Sequence, residues 1–296
     1  MALAPATVDV QARTQTVAAT TPTEAAVSVT AAHQIVITVN QLVNRSPMTL
    51  TASIEELVAA SGGAAGVTLV ELGGAAPLTW SYQGDAVFVA ASTYKLAALM
   101  MEAENVASGA TNPNGLVCYQ DSDYEDGWYD DYSDGLCYTR VELARRAGLK
   151  SDNTAGHMLV RDLGGADALN EWAAAAGASG SVFFTDNTTT ANDLAALWTA
   201  EAKGKLGGAA AQAWLYPMLT GTATEAGIPA GASASTVVHK TGDIDVEEND
   251  AALVESGPNG PYVLTVMTDN LGGNAGWQLI ASISSAVWTF ESARAK

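Results

Sequence analysis

Ser92-Thr93-Tyr94-Lys95-Leu96-Ala97-Ala98-Leu99-Met100 sets a serine and a lysine one turn apart at the start of an apolar-faced segment. Leu96, Leu99 and Met100 fall on one side at helical spacing, which predicts a helix over 92–104 with Ser92 in its first turn. Side chains three apart on a helix are neighbours, so Lys95 can reach Ser92. A serine hydroxyl is a poor nucleophile until a nearby base takes its proton, and a lysine can do this if its pKa is lowered. In the blander reading Ser92 only caps the helix and Lys95 lies on the surface. Two motifs further along the chain weigh against it.

Those motifs are Ser151-Asp152-Asn153, at a predicted turn between helices, and Lys240-Thr241-Gly242, on a predicted strand. A Ser-x-x-Lys alone arises often by chance; the three in this order do not. Together they resemble the class A β-lactamase-like family and its D-Ala-D-Ala peptidase relatives, over about residues 53–293. Ser151-Asp152-Asn153-Thr154-Ala155, Asp162-Leu163-Gly164-Gly165 and Asn249-Asp250-Ala251-Ala252 extend the resemblance. It implies a penicillin-recognising serine hydrolase whose substrate is a β-lactam or a peptidoglycan-like peptide, with no metal and no cofactor. Carried over by position, Ser92 is the nucleophile and Lys95 its base. Ser151 and Lys240 pass a proton to the leaving nitrogen, Asn153 binds the acylamide side chain, and Lys240 and Thr241 hold the substrate carboxylate. The oxyanion sits between the backbone amides of Ser92 and Asp243, beyond Gly242. Antibiotic hydrolysis and cell-wall peptide trimming both fit. A reading of another class is a retired enzyme acting as a binding module, which would keep its function in Ser92→Ala.

Outward from the motifs, Ile54-Glu55-Glu56-Leu57-Val58 reads as a helix ended by Gly62-Gly63. Residues 66–72 and 78–82 read as two strands joined by a Gly-rich turn. Further helices are expected at 141–149, 154–163, 166–175 and 192–201, the last with Thr190 and Asp193 spaced as a capping pair. Strands return at 236–241, 250–254 and 262–267, and a helix over about 275–293 closes the chain. Strands at both ends with helices between predict an α+β (α/β sandwich) fold: one antiparallel sheet from both chain ends plus an all-helical subdomain. We expect residues 1–50 to be a leader or appended segment and 51–296 to be the hydrolase domain, with a helical insert at about 105–200. In the leader, Thr21-Pro22-Thr23-Glu24 has the form of a helix cap.

The 296 residues are 48% hydrophobic and 15% charged, enough for a generous core in one domain. A net charge of -19, with 32 acidic against 13 basic residues, repels nucleic acid and anionic lipid. No apolar stretch reaches the roughly 20 residues of a membrane span. Met1-Ala2-Leu3-Ala4-Pro5 lacks the basic and apolar regions of a secretion signal, so none is expected intact. The two cysteines, Cys118 and Cys137, bracket a Tyr- and Asp-rich segment that has little else to fold around. A disulfide would close it, with a contribution of about 3 kcal/mol, and would place the protein outside a reducing cytosol; the alternative is two unpaired thiols. We expect a monomer, secreted or on the cell-envelope exterior.

The chain also departs from the family. Class A β-lactamases activate the deacylating water with a glutamate on an Ω-shaped loop carrying Glu-x-x-Leu-Asn, and here that loop reads as deleted. Leu169-Asn170-Glu171-Trp172 belongs by order to the preceding helix, so Glu171 is expected on the surface and Asp186 is the better substitute. Losing a positioned base costs roughly 10²- to 10⁴-fold, which predicts slow deacylation. No Lys or Arg lies between Lys205 and Lys240 or between Lys240 and Arg294, so a second cation for the substrate carboxylate is expected to be missing. Asp243, Asp245, Glu247 and Glu248 follow the third motif. They either weaken binding of ordinary β-lactams, select a cationic substrate, or form a solvated hairpin. The run from Asp121 to Asp131 invites a calcium reading, but Asp126 falls where an EF-hand loop needs glycine. By position the run is equally expected to form part of the rim above Ser92, with its aromatics covering the cleft. His33, His157 and His239 are expected to be structural.

Overall fold

Alternation of buried apolar residues on the late strands dictates a sheet covered on both faces. In the computed structural model, which describes residues 45–232 and 235–295, strand β9 (Tyr262–Asp269) turns Tyr262, Leu264 and Val266 into one core and Val263 and Met267 into the other. Strand β8 (Glu247–Val254) divides in the same way, with Ala252 and Val254 on one side and Ala251 and Leu253 on the other. With β1 (Ala64–Glu71), β2 (Thr79–Tyr82) and β7 (Val237–Ile244) they form one five-stranded sheet in the order β2-β1-β9-β8-β7. Every pairing is antiparallel, so the two ends of the domain are joined where β1 meets β9, Ala64 opposite Asp269.

Helix α1 (Pro47–Ser61) and the last helix, Asn274–Arg294, cover one face, burying Leu50, Ile54, Ile280, Ile283 and Val287. Ser46 caps α1 by accepting from the Met48 N–H, and Gly62 ends it at φ 79°, a conformation glycine adopts without strain. The first turn of α1 thus precedes residue 51. The cap expected at Thr21-Pro22-Thr23-Glu24, and His33, lie outside the described residues.

The other face carries α2 (Tyr94–Ser108), α3 (Arg140–Leu149), α4 (Asn153–Asp162), α5 (Gly165–Ala176), α6 (Ala191–Ala202) and α7 (Gly208–Leu215). Short α8 (Ile228–Gly231) leads back to the sheet, and the final helix is α9. Leu96, Leu99, Met100, Leu143, Met158 and Trp198 fill the core on this side. The fold is therefore α+β, with one antiparallel sheet and the helices between its two halves. Thr190 caps α6 by accepting from the Asp193 N–H at 3.0 Å, while the Asp193 carboxylate takes the Ser181 hydroxyl at 2.7 Å. Two small ribbons, β3 (Phe88–Val89) with β6 (Thr188–Thr189) and β4 (Leu116–Cys118) with β5 (Cys137–Thr139), complete the fold. In the second, Cys118 faces Cys137 and the two are disulfide-bonded.

Candidate active site

Ser92 is displaced from its expected place in the α-helix. It sits in a 3₁₀ turn, Ala91–Thr93, just before α2 begins at Tyr94. The turn is held in place from several sides. Ala90 N donates to Asn187 O at 2.7 Å, Asn187 Nδ2 to Ala91 O at 3.1 Å, and Asn249 Nδ2 to Val89 O at 2.9 Å. Ala91 is left at φ 47°, a strained value for alanine that these bonds sustain next to the nucleophile. Strand β7 runs against this turn at Gly242. A Cβ there would meet Ala90 O, Ser92 N and Thr93 N at 2.9 Å, so only glycine lets the strand approach.

Lys95 is fully buried, and its Nζ donates to Ser92 Oγ at 2.9 Å, Ser151 O at 2.6 Å and Asn153 Oδ1 at 2.6 Å. Burial holds its amine well below the usual lysine range, the charge of Lys240 pushes the same way, and Glu125, Asp152 and Asp243 offset this in part. Lys240, also buried, donates to Ser151 Oγ at 2.9 Å and to Thr241 O at 2.6 Å. Burial pulls it down to about 8, against the opposing charges of Asp243 and Asp250. Ser151 is held at φ 58°, with its carbonyl on Lys95 and its hydroxyl on Lys240.

Asp152, fully buried, joins this centre to the Tyr-rich segment. Its carboxylate accepts from Tyr132 Oη at 2.6 Å, Ala155 N at 2.8 Å, Tyr129 N at 3.0 Å and Trp128 N at 3.1 Å. Asn153 Nδ2 donates to Asp126 O at 2.7 Å. Arg146 grips Asp131 with both terminal nitrogens and lies under the rings of Tyr129, Tyr132 and Tyr138. The acidic run is thereby a wall of the site, with two of its carboxylates paired with arginines: Asp123 with Arg161, Asp131 with Arg146. The resulting cavity, about 270 Å³, is lined by Ser92, Ser151, Asn153, Thr241 and Asp243 together with Trp128, Lys150 and the 222–224 segment. A protonatable serine–lysine pair beside a second serine–lysine pair, in a partly enclosed cleft, is equipped for acyl transfer.

A family model described as the β-lactamase enzyme family matches residues 49–290. The chain belongs to the β-lactamase enzyme family. Among solved structures, a point mutant of PBP-A, in acyl-enzyme complex with penicillin G, is 27% identical with a TM-score of 0.76, over 81% of this chain and 95% of that one. A β-lactamase from Sphaerobacter thermophilus is 26% identical with a TM-score of 0.71, over 80% and 95%. An ancestral class A β-lactamase is 26% identical with a TM-score of 0.70, over 80% and 98%. No curated protein is significantly similar in sequence. The protein is a β-lactamase-like serine hydrolase.

Within this β-lactamase-family frame the structure brings all the expected motif residues together. It also adds groups that sequence reasoning had not singled out for the site, Asp152, Lys150, Asn187 and Asn249, and it sets Trp128 of the expected rim segment in the cavity lining. One cation from elsewhere in the chain, Lys150, which precedes the second motif, lines the cavity. Between α5 and α6 the chain runs through residues 177–190, folded into a turn closed by the Val182–Thr188 bridge and by Asn170, whose side chain bonds both Phe183 N and Phe183 O. Glu171 and Asp186 are both exposed. His239 is fully buried and bonds Asp250 at 2.9 Å and Glu225 at 3.1 Å. His157 bonds Glu125 at 2.8 Å and packs edge-on against Phe184. None of these partners is a motif residue. Among the described residues no helix is long and apolar enough to cross a membrane.

Proposed function

We propose that this family member is acylated at Ser92 by β-lactams and that the acyl-enzyme is long-lived. One observation carries the reading: Lys95 Nζ stands 2.9 Å from Ser92 Oγ in a setting that favours its neutral form. As the neutral amine it takes the Ser92 proton while Oγ attacks the lactam carbonyl. The oxyanion forms between the amides of Ser92 and Asp243, which the close packing at Gly242 brings near one another. The lactam C–N bond breaks, and the nitrogen receives the Ser151 hydroxyl proton, which Lys240 replaces across 2.9 Å. Thr241 and Lys240 hold the substrate carboxylate, and Asn153 faces the acylamide.

Slow hydrolysis is supported by the 177–190 connection between α5 and α6, whose one acidic residue, Asp186, is exposed. The acyl-enzyme of penicillin G described for the PBP-A mutant supports β-lactams as acylating agents. A D-Ala-D-Ala peptidase or transpeptidase uses the same serine and lysines, and the missing loop favours it over a fast β-lactamase. The disulfide supports a secreted or envelope-exterior protein. Gel labelling with a fluorescent penicillin tests the reading. Wild type should be labelled and Ser92→Ala should not; equal labelling of both rejects Ser92, and a retired binding module labels neither.

A further inference from the structure

We infer that Lys150, braced on the ring of Trp128, is a specificity-determining residue that joins Thr241 and Lys240 in holding the substrate carboxylate, from the mouth of the acylation cavity. The inference rests on the reading of that cavity as the acylation site. Lys95 is committed to its contacts with Ser92, Ser151 and Asn153, and Lys240 directs donors to Ser151 and Thr241. Lys150 lines the same cavity, is half-buried, and among the described residues has no acceptor for its ammonium. A lysine ammonium has three N–H donors, so Lys150 can offer all of them to a ligand.

Its place is fixed from both sides. Lys150 ends α3, where its backbone N–H returns to Arg146 O at 3.2 Å and the helix dipole favours a cation. Its Nζ lies 4.8 Å from the centre of the Trp128 ring, and Trp128 is in turn held through its backbone N–H on Asp152 at 3.1 Å. Trp128 is 59% exposed and faces the same cavity. A fixed cation beside a fixed, open aromatic face suits a carboxylate carried next to an apolar ring. In a chain of net charge -19 with Asp243 in the same lining, such a group needs a local cation to be held at all.

The test compares acylation by benzylpenicillin with acylation by its carboxylate methyl ester, measured as second-order rate constants for wild type, Lys150→Met and Lys150→Arg. Methionine keeps the alkyl stem and removes the charge. The acid-to-ester ratio should fall about tenfold in Lys150→Met, the size of one charge-assisted hydrogen bond, and recover in Lys150→Arg. An unchanged ratio in Lys150→Met, or an equal loss on both compounds, overturns the inference while leaving Ser92 acylation intact. If wild type reacts with neither compound, the acylation reading falls and this inference with it.

Discussion

Lys240 donates to the Ser151 hydroxyl at 2.9 Å, so the second and third motifs, far apart in sequence, meet through one hydrogen bond. Lys95 holds the carbonyl of the same serine at 2.6 Å. Ser151 is therefore the hinge between a base that must be neutral and a proton donor that must be charged.

That division of labour sets the pH dependence. Lys240, lowered by burial to about 8, is charged below that pH and loses its proton above it. The second-order constant for benzylpenicillin acylation should fall as pH rises through about 8, and Lys240→Met should remove the alkaline limb along with most of the rate. A stopped-flow profile from pH 6 to 10 checks this; a rate that climbs steadily to pH 10 contradicts it.

Gly242→Ala should lower acylation by about 10²-fold. The new Cβ would meet three backbone atoms, Ala90 O, Ser92 N and Thr93 N, at 2.9 Å, and none can swing aside. The strand or the turn must shift, and misplacement of a reacting group by about 1 Å is worth a loss of that size. Progress curves with a fluorescent penicillin, together with a melting curve, separate this from unfolding.

The parts of the fold legible in the sequence were those with strong local signals. The apolar β-branched run of 262–267, the apolar face after Ser92 and the glycines ending α1 each mark their element. The ribbon strands Phe88–Val89 and Thr188–Thr189 are too short to show a period, and the Ala-rich α7 lies among glycines that disguise it. The motifs gave the centre of the site for the same reason, since each is contiguous. Lys150 and Asp152 were missed as site residues because their roles come from partners far along the chain. Trp128 reaches Lys150 only once Asp152 has gathered the Tyr-rich wall. The displacement of Ser92 from the α-helix likewise follows from bonds to Asn187 and Asn249, which no local pattern announces.

Asp152→Ala should destabilise the domain by about 3 kcal/mol or more, because Tyr132 Oη and the Trp128, Tyr129 and Ala155 amides lose their acceptor inside the protein. Urea unfolding measures it. A change below about 1 kcal/mol would mean that the wall does not depend on this carboxylate.

His239 couples the sheet to the 222–225 rim of the cavity. Burial opposes its charge, but Asp250 and Glu225 outweigh it and raise the imidazole from 6.5 to about 9. Because the folded value is raised, its stabilisation is complete below about pH 6.5 and is lost as pH rises to about 9. His239→Gln should cost clearly more stability at pH 6 than at pH 9.5 in paired urea titrations. Equal losses at both would show the ring to be neutral throughout.

The central claim, a persistent acyl-enzyme on Ser92, is tested most directly by intact-mass spectrometry of wild type and Ser92→Ala over an hour after mixing with benzylpenicillin, with tandem mapping of any adduct. Wild type should carry a single penicilloyl adduct, mapped to Ser92, that remains through the hour. An adduct on another residue, or rapid loss of the drug with no adduct at any time, would contradict it.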